Sequence, residues 1–422
     1  MKLRNAIVIG IIYAPSICQA VPRPYYVNSE PPAVYIPISI NKDSSTTIKL
    51  NKTNLNQAEI LIAPTNSKGV SHNKYDTFNV PSDGIILNND KVVADVIINE
   101  VIDGTTSLLE GNIDIKGKAA HVVIANPNGI ECNNCSFSNA LSETLATGKP
   151  IIHNDELVGY QLEQSISFLD RRTFGGKPFD HIGRIVFRNE NKRHPDNSFN
   201  KINIISNNIN LEKGFISSKG NITIYSGEQR VIIKDDVTIL ENAMQTRELR
   251  RKLPNKIILG DKDSDPKKQG LTSYKNIIIN ASDTTIDNYG SLESVNSNRK
   301  AIQLNLNNTT FNNYGYILAK NGYLNLQNKS IFNNTDDGTI GMQYWLDSDS
   351  GNSNTSSTYV GFIPKNTVYR MKKVTLDLSE DSQLINNGII KIHRLYTRDK
   401  NITNIKNHNE DINLYTKLLK IR

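Results

Sequence analysis

Short runs of strict alternation dominate the chain. Ile113 and Ile115 stand between Asn112, Asp114 and Lys116, Ile202 and Ile204 beside Lys201 and Asn203, and Ile222 and Ile224 between Asn221 and Thr223. Residues 302–306, 323–326 and 374–378 keep the same two-residue period. Such a period gives a strand one dry and one wet face. The carboxyl half also repeats a phrase. TTIDNYGSL (284–292), TTFNNYGYI (309–317), SIFNNTDDGTI (330–340) and QLINNGII (383–390) all read apolar, Asn, turn, Gly, apolar. Asn288, Asn313 and Asn334, the last Asn before successive turns, are 25 and 21 residues apart. Periods of this size indicate a solenoid. With no helix per unit and no Leu-rich consensus, short strands joined by Asn/Gly turns predict an all-β parallel β-helix. Ile, Leu and Val then stack inside, and Asn side chains ladder at the corners.

The organising stretch is residues 121–152, HVVIANPNGIECNNCSFSNALSETLATGKPII. Residues 121–125 are an apolar run long enough for one strand. Asn126-Pro127-Asn128-Gly129 then supply a turn: Pro127 presets φ, Asn126 and Asn128 can bond neighbouring backbone groups, and Gly129 accepts a positive φ. Ile130 returns to apolar character, so the unit reads strand, tight turn, strand.

Around this turn stand SHNKYDTFNVPSDGIILNN (71–89), IINEV (97–101), GNIDIKGKAAHVVIANPNGI (111–130), Phe137, Asn139 and LATGKP (145–150). This set, in this order over residues 35–152, resembles the amino-terminal secretion domain of two-partner secretion exoproteins, the group of filamentous haemagglutinins, haemolysins of that pathway and contact-dependent inhibition proteins. The resemblance implies a right-handed parallel β-helix. It also implies export, unfolded, through a cognate outer-membrane transporter with periplasmic domains. Asn126, Pro127, Asn128, Gly129 and Ile130 would serve transporter recognition or folding nucleation, with His72, Asn73, Tyr75, Phe78, Asn79, Val80, Asn88 and Asn89 in an adjoining coil. One departure stands out. Many relatives carry a longer insert with a second N-P-N-L turn between the L-N-N and I-L-N-E-V blocks, where residues 90–95 here join them directly.

Residues 1–20 carry Lys2 and Arg4, an apolar centre over 6–14 and Ala20. They read as a secretory signal peptide cleaved after Ala20, and with the transporter that the resemblance implies, the mature protein is expected outside the cell or on its outer surface. Removing it lowers the formal charge from +7 to +5 and takes Cys18 with it. Cys132 and Cys135 remain, a pair that in an exported chain is expected to close a short disulfide. Relatives in the family resemble this chain in having a Cys pair here.

The expected organisation is a signal peptide (1–20), a secretion domain (21–190), further β-helix with small insertions outside the stack near 238–270 and 344–366 (191–390), and a basic tail (391–422). Residues 35–40 and 46–50 are expected to cap the first coil, because an open stack offers a free edge. Residues 238–254 read as a short helical excursion, and 261–270 and 347–357 as polar loops.

Catalysis and cofactors find little support in the residues. Asp261, Asp263 and Asp265 imitate the start of a calcium loop, but Pro266 replaces its glycine and Thr272 its bidentate Glu. The sequences around Lys149 and Lys177 lack the flanking residues of a phosphate loop. Parallel β-helices include polysaccharide-degrading enzymes, whose carboxylates recur on successive coils, but Asp287 aligns with Asn312 and Asn333. No metal, cofactor or nucleic acid is expected. The basic balance, a pI near 9.0, better suits anionic glycans or lipids of a host or neighbouring cell surface. The expected function is a non-enzymatic haemagglutinin-like adhesin, the alternatives being a haemolysin or cytolysin, or a truncated contact-dependent inhibition exoprotein.

Overall fold

The computed structural model describes residues 25–26, 35–51, 57–102, 105–162, 183–189, 199–233, 255–341 and 371–390, with 392, 395–397 and 405–407. The expected signal peptide, the 238–254 excursion, the 347–357 loop and most of the 391–422 tail lie outside them.

The chain winds as a three-sided parallel β-helix. One face is a twelve-stranded sheet, the second a ten-stranded sheet, and the third is built first by five strands and then by six. A single coil visits each face once: Ile277–Ser282, Thr284–Asn288 and Ser291–Ser294 are followed by Ile302–Asn307, Thr310–Asn313 and Tyr316–Ala319 directly above. The all-β solenoid read from the alternation is therefore the fold, and the repeat spacing is its coil length.

Register turns that alternation into continuous columns. Ile279, Leu304, Leu324 and Leu376 are successive partners on the first face. Ile286, Phe311, Phe332 and Leu384 are partners on the second, with Phe311 and Phe332 stacked at 5.2 Å. Leu292, Ile317, Ile340 and Ile390 follow on the third. Like stacks on like, so each coil buries the apolar edge of the previous one.

The corners are polar, as expected, and built in two ways. Asp283, Asn308 and Asn328 turn the chain from the first face to the second with φ of 48°, 47° and 52°, a region that Asn and Asp enter more readily than most side chains. Inside the next corner, Asn288 Nδ2 donates to Asn313 Oδ1 (2.8 Å), Asn313 to Asn334 (2.7 Å) and Asn334 to Asn386 (2.7 Å). The coils also close tightly here: a Cβ on Gly315 would stand 2.0 Å from the Gly290 carbonyl oxygen.

Two further devices complete the stack. The amino-terminal cap is antiparallel: Ile38–Ile40 lies against Val70–Phe78, and Thr47–Leu50 against Ala58–Leu61. A hairpin of Gly148–His153 and Glu156–Leu162, joined antiparallel by Arg230–Ile232, folds outside the solenoid over the twelve-stranded face. The sequence reading does not anticipate it. In the region expected to be a tail, Leu395–Thr397 and Ile405–Asn407 are strands that extend two of the sheets.

Candidate functional site

The strand Ala120–Ala125 leads into the turn at Asn126, and Ile130–Asn133 leaves it, which is the strand, turn, strand read from the residues. Asn126 is fully buried and uses its whole amide. Oδ1 accepts the Asn128 backbone N–H (2.9 Å), while Nδ2 donates to the Thr105 carbonyl and to Ser107 Oγ (both 2.9 Å). Its backbone N–H reaches forward to the Ala146 carbonyl (2.9 Å), and its carbonyl closes the turn by accepting Gly129 N–H (3.0 Å). One residue thus ties three consecutive coils. Gly129 holds φ at 118°, which a residue with a Cβ adopts only under strain. Pro127 is half-buried and Ile130 buried. Asn128 is exposed, and its carbonyl accepts a bond from Thr106 Oγ1 (3.1 Å).

The adjoining residues share the theme. Asn79 Oδ1 accepts the Leu108 N–H (2.8 Å), so the short strand Ser107–Leu109 is gripped by Asn79 from the coil before it and by Asn126 from the coil after. Tyr75 and Phe78 are buried with ring centroids 4.8 Å apart. The Tyr75 hydroxyl donates to Asn99 Oδ1 (3.1 Å), whose Nδ2 donates onward to the Val123 carbonyl (3.3 Å). Asn73 is buried and takes Thr46 Oγ1 (2.7 Å) and Ala63 N–H (2.8 Å) on Oδ1, fastening the cap. Val80 is buried in the core.

Asn89 fastens the connection at residues 90–95. Its Oδ1 accepts Ala94 N–H (2.7 Å), and its Nδ2 donates to the carbonyls of Ala94 (2.9 Å) and Lys118 (2.8 Å). His72 lies on the outer face of the sheet with Nε2 2.7 Å from Glu100 Oε2. Asn88 is on another face and donates to Glu59. Burial opposes ionisation of Glu59, yet Asn88, Lys116 and Lys49 together hold its carboxyl below the usual range. The structure therefore joins Asn79 to Asn126, and leaves His72 and Asn88 in separate clusters.

Asn99, Ser107 and Glu59 are partners that the sequence does not single out, since each works through a residue in another coil. Cys132 and Cys135 are joined by a disulfide that closes the loop between Ile130–Asn133 and Ser136–Ser138. Asp261 and Asp265 are occupied in turn-making: Asp261 accepts from Asp263 N–H and Ser264 Oγ, and Asp265 from Lys267 N–H. Asp287 is in register with Asn312 and Asn333, so no column of carboxylates forms across these coils.

The chain is 45% identical over 111 residues to the tRNA nuclease CdiA of Yersinia mollaretii, a region covering 22% of this chain and 4% of that protein. It is 40% identical over 119 residues to the hemolysin of Serratia marcescens (24% and 7%), and 37% identical over 146 residues to the filamentous hemagglutinin of Bordetella pertussis (30% and 4%). The matched region thus spans only a few per cent of these relatives' length. Among solved structures, the filamentous hemagglutinin secretion domain superposes with a TM-score of 0.36 at 18% identity, covering 85% of this chain and 96% of that one. The HMW1 secretion domain of Haemophilus influenzae gives 0.40 at 16%, covering 85% and 86%. The family model of the TPS secretion domain, a structural secretion module, matches residues 38–341, which contain the antiparallel cap, the Asn126 turn and most of the coils described above, and the chain belongs to that family.

Proposed function

We propose that the protein is an exoprotein that a cognate outer-membrane transporter with periplasmic domains releases to the cell exterior, where it acts as a haemagglutinin-like adhesin. The observation that carries the export reading is the burial of Asn126. A side chain with no exposed surface in the folded state offers nothing to a partner once the coil has closed. Its contribution to export falls before or during folding, when the turn sets the register of three coils. Asn128, exposed at the tip, is the residue of the turn open to direct contact. A solenoid whose coils each dock on the last gives emerging chain a place to fold, which biases movement outward.

Co-expression with the transporter tests this. Asn126→Ala should leave synthesis intact and abolish release into the medium, while Asn128→Ala should slow release without changing the stability of the secreted product. Normal release of the Asn126 variant sinks the proposal. The adhesin reading is supported by the basic balance of the chain and is tested by cell attachment at rising salt, which should fall as charges are screened. Red-cell lysis by the secreted protein would instead assign a cytolysin.

A further inference from the structure

The hairpin outside the solenoid does more than cover the sheet. Tyr160, Leu162 and Val231 pack on Val123, Ala125, Ala146 and Ile205, forming a second small core outside the stack. Its tip is a two-residue turn at Asn154 and Asp155, with φ of 50° and 64°, the conformation that suits a tight hairpin. That tip is tethered: Asn66 Nδ2 donates to the Asp155 carbonyl (2.8 Å), and Ser67 Oγ to Asp155 Oδ2 (2.7 Å). At the other end the Leu162 N–H donates to the Gln229 carbonyl (2.7 Å). The roof is therefore fixed at both ends. Between it and the sheet lies a cleft of about 480 Å³, within the size range of ligand sites.

The floor of this cleft is polar and runs across successive coils. His121 pairs in register with Ser142, Thr144 with Asn203, and Asn203 in turn with Thr223. Asn203 Nδ2 donates to Thr144 Oγ1 (3.2 Å), and the His121 Nδ1 lies 2.7 Å from Ser142 Oγ. Burial, and then the Lys201 ammonium, push the His121 imidazole below its usual range. Lys68 at the rim lies 3.8 Å from Glu156, and Lys201, lining the same cleft, is the other lysine there among the described residues. The two carboxylate oxygens of Glu143 face away from it and accept the backbone N–H groups of Asn200 and Lys201. Tyr225 and Leu157 supply apolar walls.

We propose that this cleft binds an acidic saccharide, its carboxylate or sulfate on Lys201, its hydroxyls on the Ser142, Thr144, Asn203 and Thr223 floor, and its C–H face on Tyr225. The proposal rests on the adhesin reading and gives it a site. Coils spaced by about 4.8 Å place the polar side chains at intervals close to the length of one sugar ring, and a bare inorganic anion would fill only a corner of the volume.

Calorimetric titration of the folded, secreted protein with a chondroitin sulfate disaccharide tests it, with maltose and inorganic sulfate as comparisons. The disaccharide should bind saturably with one site per chain, maltose at least tenfold more weakly. Loss of a charge-assisted contact should make Lys201→Gln bind about tenfold less tightly or worse, and Asn203→Ala should also weaken it. Lys372→Gln, on a later coil, should change nothing. Binding that is absent at millimolar disaccharide, equal for inorganic sulfate, or lowered equally by the Lys372 variant would overturn the site. Cell attachment that persists in a protein failing these titrations would keep the adhesin reading and remove only this cleft.

Discussion

A buried asparagine in this fold works as a rivet between coils. Asn313 both donates and accepts in the ladder from Asn288 to Asn386, so Asn313→Ala leaves a buried donor on one side and an acceptor on the other. Two orphaned groups should cost about 2–4 kcal/mol, read as a lower urea midpoint. These positions were legible because Asn recurs at the coil interval and the ladder joins equivalent places. Glu143 was not legible, since its partners are backbone N–H groups of Asn200 and Lys201, which carry no signature in side-chain type. Burial raises its carboxyl to about 7, against the pull of those N–H groups. Its folded pKa therefore exceeds the unfolded one, and its contribution to stability is full below about 4.5 and lost as pH rises through about 7. Glu143→Gln should flatten that slope, gaining on the wild type at pH 8 relative to pH 5 in thermal melts.

At the scale of elements, the coils were readable and the hairpin was not. Strict alternation marks a strand with one wet face, and most coil strands obey it. The run Val122–Ala125 breaks the rule by being buried on both faces, which signals a cover over the outer side. The Asn154-Asp155 turn of the covering hairpin is flanked by the polar His153 and Glu156, which weakens the hairpin signal, and Pro150 argues against a central strand. Replacing the large buried ring by Tyr160→Ala should cost about 3 kcal/mol and loosen the hairpin first. Hydrogen exchange should therefore rise in residues 148–162 and 230–232 before the solenoid itself. The turn at Asn126 was readable for the opposite reason, because Pro, Asn and Gly each declare a local backbone need.

For the whole molecule, nearest-neighbour stacking means that a coil depends on the ones beside it. Ending the chain after residue 341 should leave the earlier coils folded, with a cooperative melt and the strand-rich circular dichroism of the full chain. Deleting residues 35–61 should not, because Asn73 loses Thr46 and the first coil loses its cover. Finding the two deletions equally tolerated would contradict this ordering.

The cap described above also gives the solenoid a grain. Its first two strands run against the direction of every coil that follows, so a second molecule arriving with its last coil meets backbone pointing the wrong way. Head-to-tail growth into fibres, the hazard of any open and regular sheet, would at that pole need an antiparallel join unlike the parallel contact between coils. Concentrated solutions should scatter light as discrete particles whose size does not climb with protein concentration.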